Sequence, residues 1–123
     1  MRKLFYDPQE FVKVRAYHVA AKMDKSIIEE CLIELKNGDI NIRKFAIKKL
    51  GWIADKNTIN NLLGLISEAD LEEQDLIAFS LSEICLGNPG LIDKIKHLCN
   101  SSNSEIKKVA QRIFYYIYQD ICE

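Results

Sequence analysis

The chain has 123 residues, 48% of them hydrophobic, and its 17 basic against 18 acidic side chains leave a formal net charge of -1. A single domain with a continuous core is expected from that size and composition, and no overall field draws the protein toward nucleic acid or anionic lipid. Apolar runs are only a few residues long, far short of the roughly 20 a membrane helix needs, and Met1 to Pro8 contains no signal-peptide apolar stretch, so the chain reads as a soluble cytoplasmic protein without a membrane partner. Five glycines and two prolines, with no sustained alternation of apolar and polar residues, leave strands little to start from.

Helices are predicted throughout. Asp7-Pro8-Gln9-Glu10 offers an N-cap carboxylate, a proline at the first helical position and a glutamate behind it, opening a helix over 7–23. Ser26-Ile27-Ile28-Glu29 reads as a capping box for 26–37, and Asn37-Gly38 stops that helix. A helix over 39–54 and another over 57–68 follow. Asp70 with Glu73 repeats the capping logic for 70–86, Asn88-Pro89 opens 89–100, and the polar run Ser101-Ser102-Asn103-Ser104 precedes the last helix, over 103–121. Such short links force neighbouring helices to run antiparallel, as a bundle or as stacked hairpins.

The four cysteines, Cys31, Cys85, Cys99 and Cys122, show neither a zinc spacing nor Cys-x-x-Cys. The first three lie on apolar helical faces and read as small buried side chains in a reducing compartment; Cys122, beside the end, is expected to be exposed.

An internal repeat chooses between bundle and stack. In the segment from Ile42 to Ile53, the residues Ile42, Ala46, Leu50 and Ile53 share one helical face. Ile106 to Ile117 repeats the pattern position by position; Glu73 to Ile84 keeps its closing Leu-small-x-Ile, and Val12 to Met23 keeps Val12, Ala16, Ala20 and Met23. With Ala16, Ala46, Ile77 and Ala110 as equivalents, the spacing is about 30 to 33 residues, a period of stacked helix pairs. The intervening helices agree as well: Asp24-Lys25-Ser26-Ile27-Ile28-Glu29-Glu30-Cys31-Leu32 matches Asp55-Lys56-Asn57-Thr58-Ile59-Asn60-Asn61-Leu62-Leu63.

On these residues the chain resembles the HEAT-repeat family, in particular its short-repeat branch related to bilin lyases, whose second helix has the form Val-Arg-x-x-Ala-Ala-x-x-Leu-Gly-x-Ile. Residues 42–68 carry the resemblance best. It implies one all-α domain over 1–123, a short right-handed superhelix (solenoid) of about seven antiparallel helices, with repeat units near 7–23, 26–54, 57–86 and 89–121 and the second helices lining a concave wall. The family's bracing arginine is matched by Arg43 and less well by Lys107 and Lys13; Gln74 departs from the pattern and puts the brace of the third unit in doubt. Leu4, Phe5 and Tyr6 are expected to fold over the open end of the first unit. At the other end, Ile113, Phe114, Tyr115, Tyr116, Ile117, Tyr118 and Ile121 place apolar groups around much of the last helix, which loose or self-covered packing, a homodimer through that helix or a further domain would explain.

No catalytic set is recognisable. His18 and His97 stand on different helices without a metal-binding neighbour, Gly87-Asn88-Pro89-Gly90 reads as a connector, and no cofactor is expected. The candidate partner-binding residues lie on the expected exposed face of the second helices: Lys44, Lys48 and Trp52; Asp75, Phe79 and Glu83; Lys108, Arg112 and Tyr116, with His18 and Lys22 alongside. Lysine runs commonly only solvate a surface, and Trp52 would then pack at a repeat edge. As anchors, Trp52 and Tyr116 would instead serve a non-catalytic scaffold that holds another protein or a peptide segment. The alternative partner is nucleic acid, with the lysines and Arg112 on phosphates and the rings on bases; the acidic third unit interrupts that channel.

Overall fold

The computed structural model describes the backbone over residues 8–122 and side chains over residues 12–118. The described residues form α1 (Pro8–Met23), α2 (Ser26–Asn37), α3 (Ile40–Ile53), α4 (Ile59–Leu63), α5 (Leu71–Gly87), α6 (Ile92–Leu98) and α7 (Ser104–Cys122), with no strand among them. The expected helix over 57–68 is broken into a 3-10 turn at Lys56–Thr58, the five-residue α4 and a second 3-10 turn at Ile66–Glu68. Another 3-10 turn, Pro89–Leu91, leads into α6. The expected Asp7 cap, the cover by Leu4, Phe5 and Tyr6, and the side chains of Ile121 and Cys122 lie outside the described residues.

Side-chain caps open three of the α-helices. Asp39 accepts from the N–H groups of Asn41 and Ile42 and opens α3; Asp70 accepts from Glu73 N at 2.8 Å and opens α5; Asn103 accepts from Glu105 N and Ile106 N and opens α7. The expected box at Ser26 is not formed. Ser26 is the first helical residue, and its N–H donates to Asp24 Oδ1 at 3.0 Å. Asn88 is likewise not a side-chain cap, because its amide donates instead to Ala54 O and Ile84 O, both at 2.9 Å, tying α5 to the end of α3.

The main contacts run α1 to α3, α3 to α5 and α5 to α7, with α2 leaning on α3, α4 on α5 and α6 on α7. One apolar core extends from Ala21 on α1 to Ile117 on α7. Buried positions recur along it: Ile28, Cys31 and Leu35 are matched by Ile59, Leu62 and Ile66. In the other row, Ala46, Ile47 and Leu50 are matched by Ile77, Ala78 and Leu81 and again by Val109, Ala110 and Ile113. The last match moves the register of α7 by one residue from the alignment through Ala110.

Two further expectations change. Ile42 is exposed, while Ile47 and Gly51 are buried with Ala46 and Leu50, because α3 is covered by α1 and α5 on its sides and by α2 behind. On α1, Val12, Ala16 and Met23 face outward and Ala20 is half-buried; Ala21 is the buried residue. The inward face of α1 is chosen by specific partners, since Tyr17 sits 5.6 Å from the Trp52 ring and His18 Nδ1 lies 2.9 Å from Ile53 O. Among the described residues α1 packs against α3 and α2, and turning toward those partners leaves Val12, Val19 and Met23 exposed.

Polar bridges join the row. Arg43 donates from Nε and Nη2 to the two oxygens of Glu73 at 2.6 and 2.8 Å, a bidentate pair in which Glu73 is 2% exposed. At the next step Gln74 donates to Ile66 O and Ala69 O at 3.2 Å and to Glu105 Oε2 at 3.0 Å. The doubtful brace is therefore present, made by an amide in place of a guanidinium. Ser80 Oγ donates to Ile47 O at 2.8 Å, directly beside Gly51, where an added Cβ would stand 2.9 Å from Ser80 Cβ.

Candidate partner-binding face

The nine candidate residues do not share one exposed wall. Trp52 is 6% exposed, enclosed by Tyr17 and by an edge-on contact to Phe45 at 5.9 Å. Glu83 is 8% exposed. Both belong to the packed interior of the row rather than to an open face, because α1 covers the C-terminal turns of α3 and α5 lies between two helices. Lys48 is exposed. Lys44 is half-buried, with Nζ 3.0 Å from Glu72 Oε1.

Of the remaining five, Asp75, Phe79, Arg112 and Tyr116 come together at the α5–α7 seam, and Lys108 lines the groove beside it. Asp75 Oδ1 accepts from Tyr116 OH at 2.6 Å and from Arg112 Nε at 2.8 Å. Phe79 meets the Tyr116 ring edge-on at 5.2 Å, and the Arg112 guanidinium lies 5.6 and 5.7 Å from the Tyr115 and Tyr116 rings. Burial works to raise the Asp75 carboxyl, but the hydrogen bonds from Tyr116 and Arg112 and the charge of Arg112 outweigh it and hold Asp75 below its ordinary range. Burial, assisted by the bond to Asp75, pushes the Tyr116 phenol up to about 12.

Beside this clamp a groove of about 510 Å³ opens between the first turns of α5 and the middle of α7, lined by Leu71, Asp75, Lys108, Val109, Arg112 and Tyr115 among others. Leu71 is 81% exposed and Tyr115 51%. Sequence reasoning passed over both. Leu71 follows the N-cap Asp70 and belongs to no periodic face, which was the available signal; Tyr115 was noticed only as part of an aromatic run. In α7, Ile113 and Ile117 are in the core, while Tyr115 and Tyr118 are exposed.

A second cavity, about 420 Å³, lies near the ends of α1, α3 and α5 and is bordered by His18, Lys22, Lys25, Asp55, Lys56 and Asn88 among others. His18 thus reaches a helix end and Lys22 an adjacent pocket, away from the α5–α7 seam. No group of three His, Cys, Asp or Glu side chains suited to a metal ion occurs among the described residues. No described helix is long and apolar enough to cross a membrane. Cys31 and Cys85 are buried, and burial raises both thiols, Cys85 to about 11; Cys99 is half-buried and is raised by the same cause. Comparison with family models, with curated proteins and with solved structures returned no match.

Proposed function

We propose that this chain is a non-catalytic scaffold that holds another protein or a peptide segment, built as a short right-handed superhelix of HEAT-like helix pairs. The open groove between α5 and α7 carries the functional part of this reading: it places exposed apolar side chains next to the cations Lys108 and Arg112, the mixture found at protein-recognition hot spots. The superhelical part is supported by the recurrence of buried positions and by bridges in matching places, Arg43 to Glu73 and Gln74 to Glu105. A stack of this kind leaves one continuous side uncovered for contact.

Nucleic acid is the weaker alternative. The groove lining offers two cations, Lys108 and Arg112, and Lys44 is already engaged by Glu72, a shorter cationic track than a phosphate backbone would use. The test is crosslinking and mass spectrometry in the native cell, comparing the wild-type chain with Lys108→Glu. A protein crosslinked to residues of α5 and α7 and lost in the variant is the expected result. Recovery of no protein partner, or of RNA or DNA alone, would sink the scaffold reading.

A further inference from the structure

We propose that the α5–α7 groove takes an acidic peptide segment, with carboxylates on Lys108 and Arg112 and an adjoining aliphatic or aromatic side chain on a floor of Leu71, Val109 and Tyr115. This rests on the scaffold reading and adds the chemistry of the partner.

Three observations carry it. First, Arg112 is oriented before any ligand arrives: Asp75 engages its Nε, the Tyr115 and Tyr116 rings flank the guanidinium, and the side chain keeps 55% exposure. A guanidinium held through Nε presents its terminal nitrogens as a fork matched to a carboxylate, and prior ordering lowers the entropy lost on binding. Second, Lys108 lies four residues earlier on the same helical face and lines the same groove, so the rim carries two cations one turn apart. Third, the floor carries apolar side chains; Leu71 is 81% and Tyr115 51% exposed, and the buried Val109 lines the same groove. Cations over an apolar floor are complementary to an acidic segment that also carries a large apolar side chain. Asp75 also lines the groove, but its Oδ1 is already engaged by Arg112 and Tyr116.

The test uses the full chain and two mixtures of short fluorescein-labelled peptides, one combining Asp and Glu with Leu and Phe, the other combining Lys and Arg with Leu and Phe. Fluorescence anisotropy should show saturable binding of the acidic mixture that weakens with salt. Lys108→Glu, Arg112→Gln and Leu71→Ser should each weaken it roughly tenfold or more, while the exposed Lys36→Glu on α2 should not. Circular dichroism should show all four variants folded. Preference for the basic mixture, or acidic binding that survives the groove variants and is lost in Lys48→Glu, overturns the groove assignment and leaves the scaffold reading standing. Failure of both mixtures, with a single-stranded oligonucleotide bound through Lys108 and Arg112 instead, overturns both.

Discussion

Between α3 and α5, Gly51 comes so close to Ser80 that even a methyl group would collide, and the ion pair at that seam has a carboxylate with 2% exposure. Between α5 and α7 the corresponding crossing is looser: its ion pair, Arg112 to Asp75, is 55% and 44% exposed, and a groove opens beside it. Both seams bring the same set of buried positions together, and both carry a cation-to-carboxylate bridge. The contrast teaches that the register of packing and the closure of a seam are separate properties. Small residues and a desolvated ion pair close the first; long side chains at the surface hold the second without filling it.

The largest effect expected from this contrast is at the buried bridge. Arg43→Met leaves the Glu73 carboxylate enclosed without its guanidinium, and removal of one partner from such a pair costs about 3–5 kcal/mol; urea denaturation should show a loss of that order. Replacing both residues, Arg43→Met with Glu73→Leu, should recover much of it, since the stranded charge is then gone. If the single substitution costs no more than an ordinary surface change, the α3–α5 seam is not closed in the way described.

A smaller loss is expected at the close approach. Gly51→Ala forces α3 and α5 apart and strains the Ser80 bond to Ile47 O, with a cost of about 1–3 kcal/mol for overpacking. The same denaturation experiment measures it. Equal stability of Gly51→Ala and the parent would mean that the seam yields without penalty.

The smallest effect concerns the open seam and its pH dependence. Asp75 is held below its ordinary value of 3.8, so the stability it contributes is present above that value and is lost as pH falls through the depressed one. Tyr116 is raised from 10.0 to about 12, so its contribution is present below 10.0 and is lost as pH rises toward 12. Tyr116→Phe should lower stability near neutral pH by roughly 0.5–1 kcal/mol, the range of a single partly exposed hydrogen bond, and should flatten both shoulders of the profile. Thermal unfolding across the pH range reports this; shoulders that persist in the variant would place the titration elsewhere.

Much of the molecule was legible in the sequence. The helix segments follow from caps and apolar periodicity, and the match between Asp24 to Leu32 and Asp55 to Leu63 reappears as equivalent buried residues and equivalent turns, with Asp24 accepting from Ser26 N and Asp55 from Asn57 N. A hydrogen bond from Arg43 to a neighbouring helix was expected from a resemblance alone, and one is present. Its acceptor Glu73 was not legible: it reads locally as part of a capping box, and only a neighbouring helix makes it the acidic half of a buried pair. Trp52 is the converse case: of its two readings, an anchor or a ring packed at an edge, the contact with Tyr17 favours the second.

The sequence by itself determined that this chain is helical, where most helices begin, and which residues recur in equivalent places, because capping and amphipathic periodicity act within a few residues of chain. Only the tertiary structure decided which face each helix turns inward, how α7 shifts by one position from the aligned register, and which of two similar seams stays open. Those outcomes depend on contacts between residues about thirty or more positions apart, such as His18 with Ile53, Arg43 with Glu73 and Tyr116 with Asp75, and no local pattern contains them.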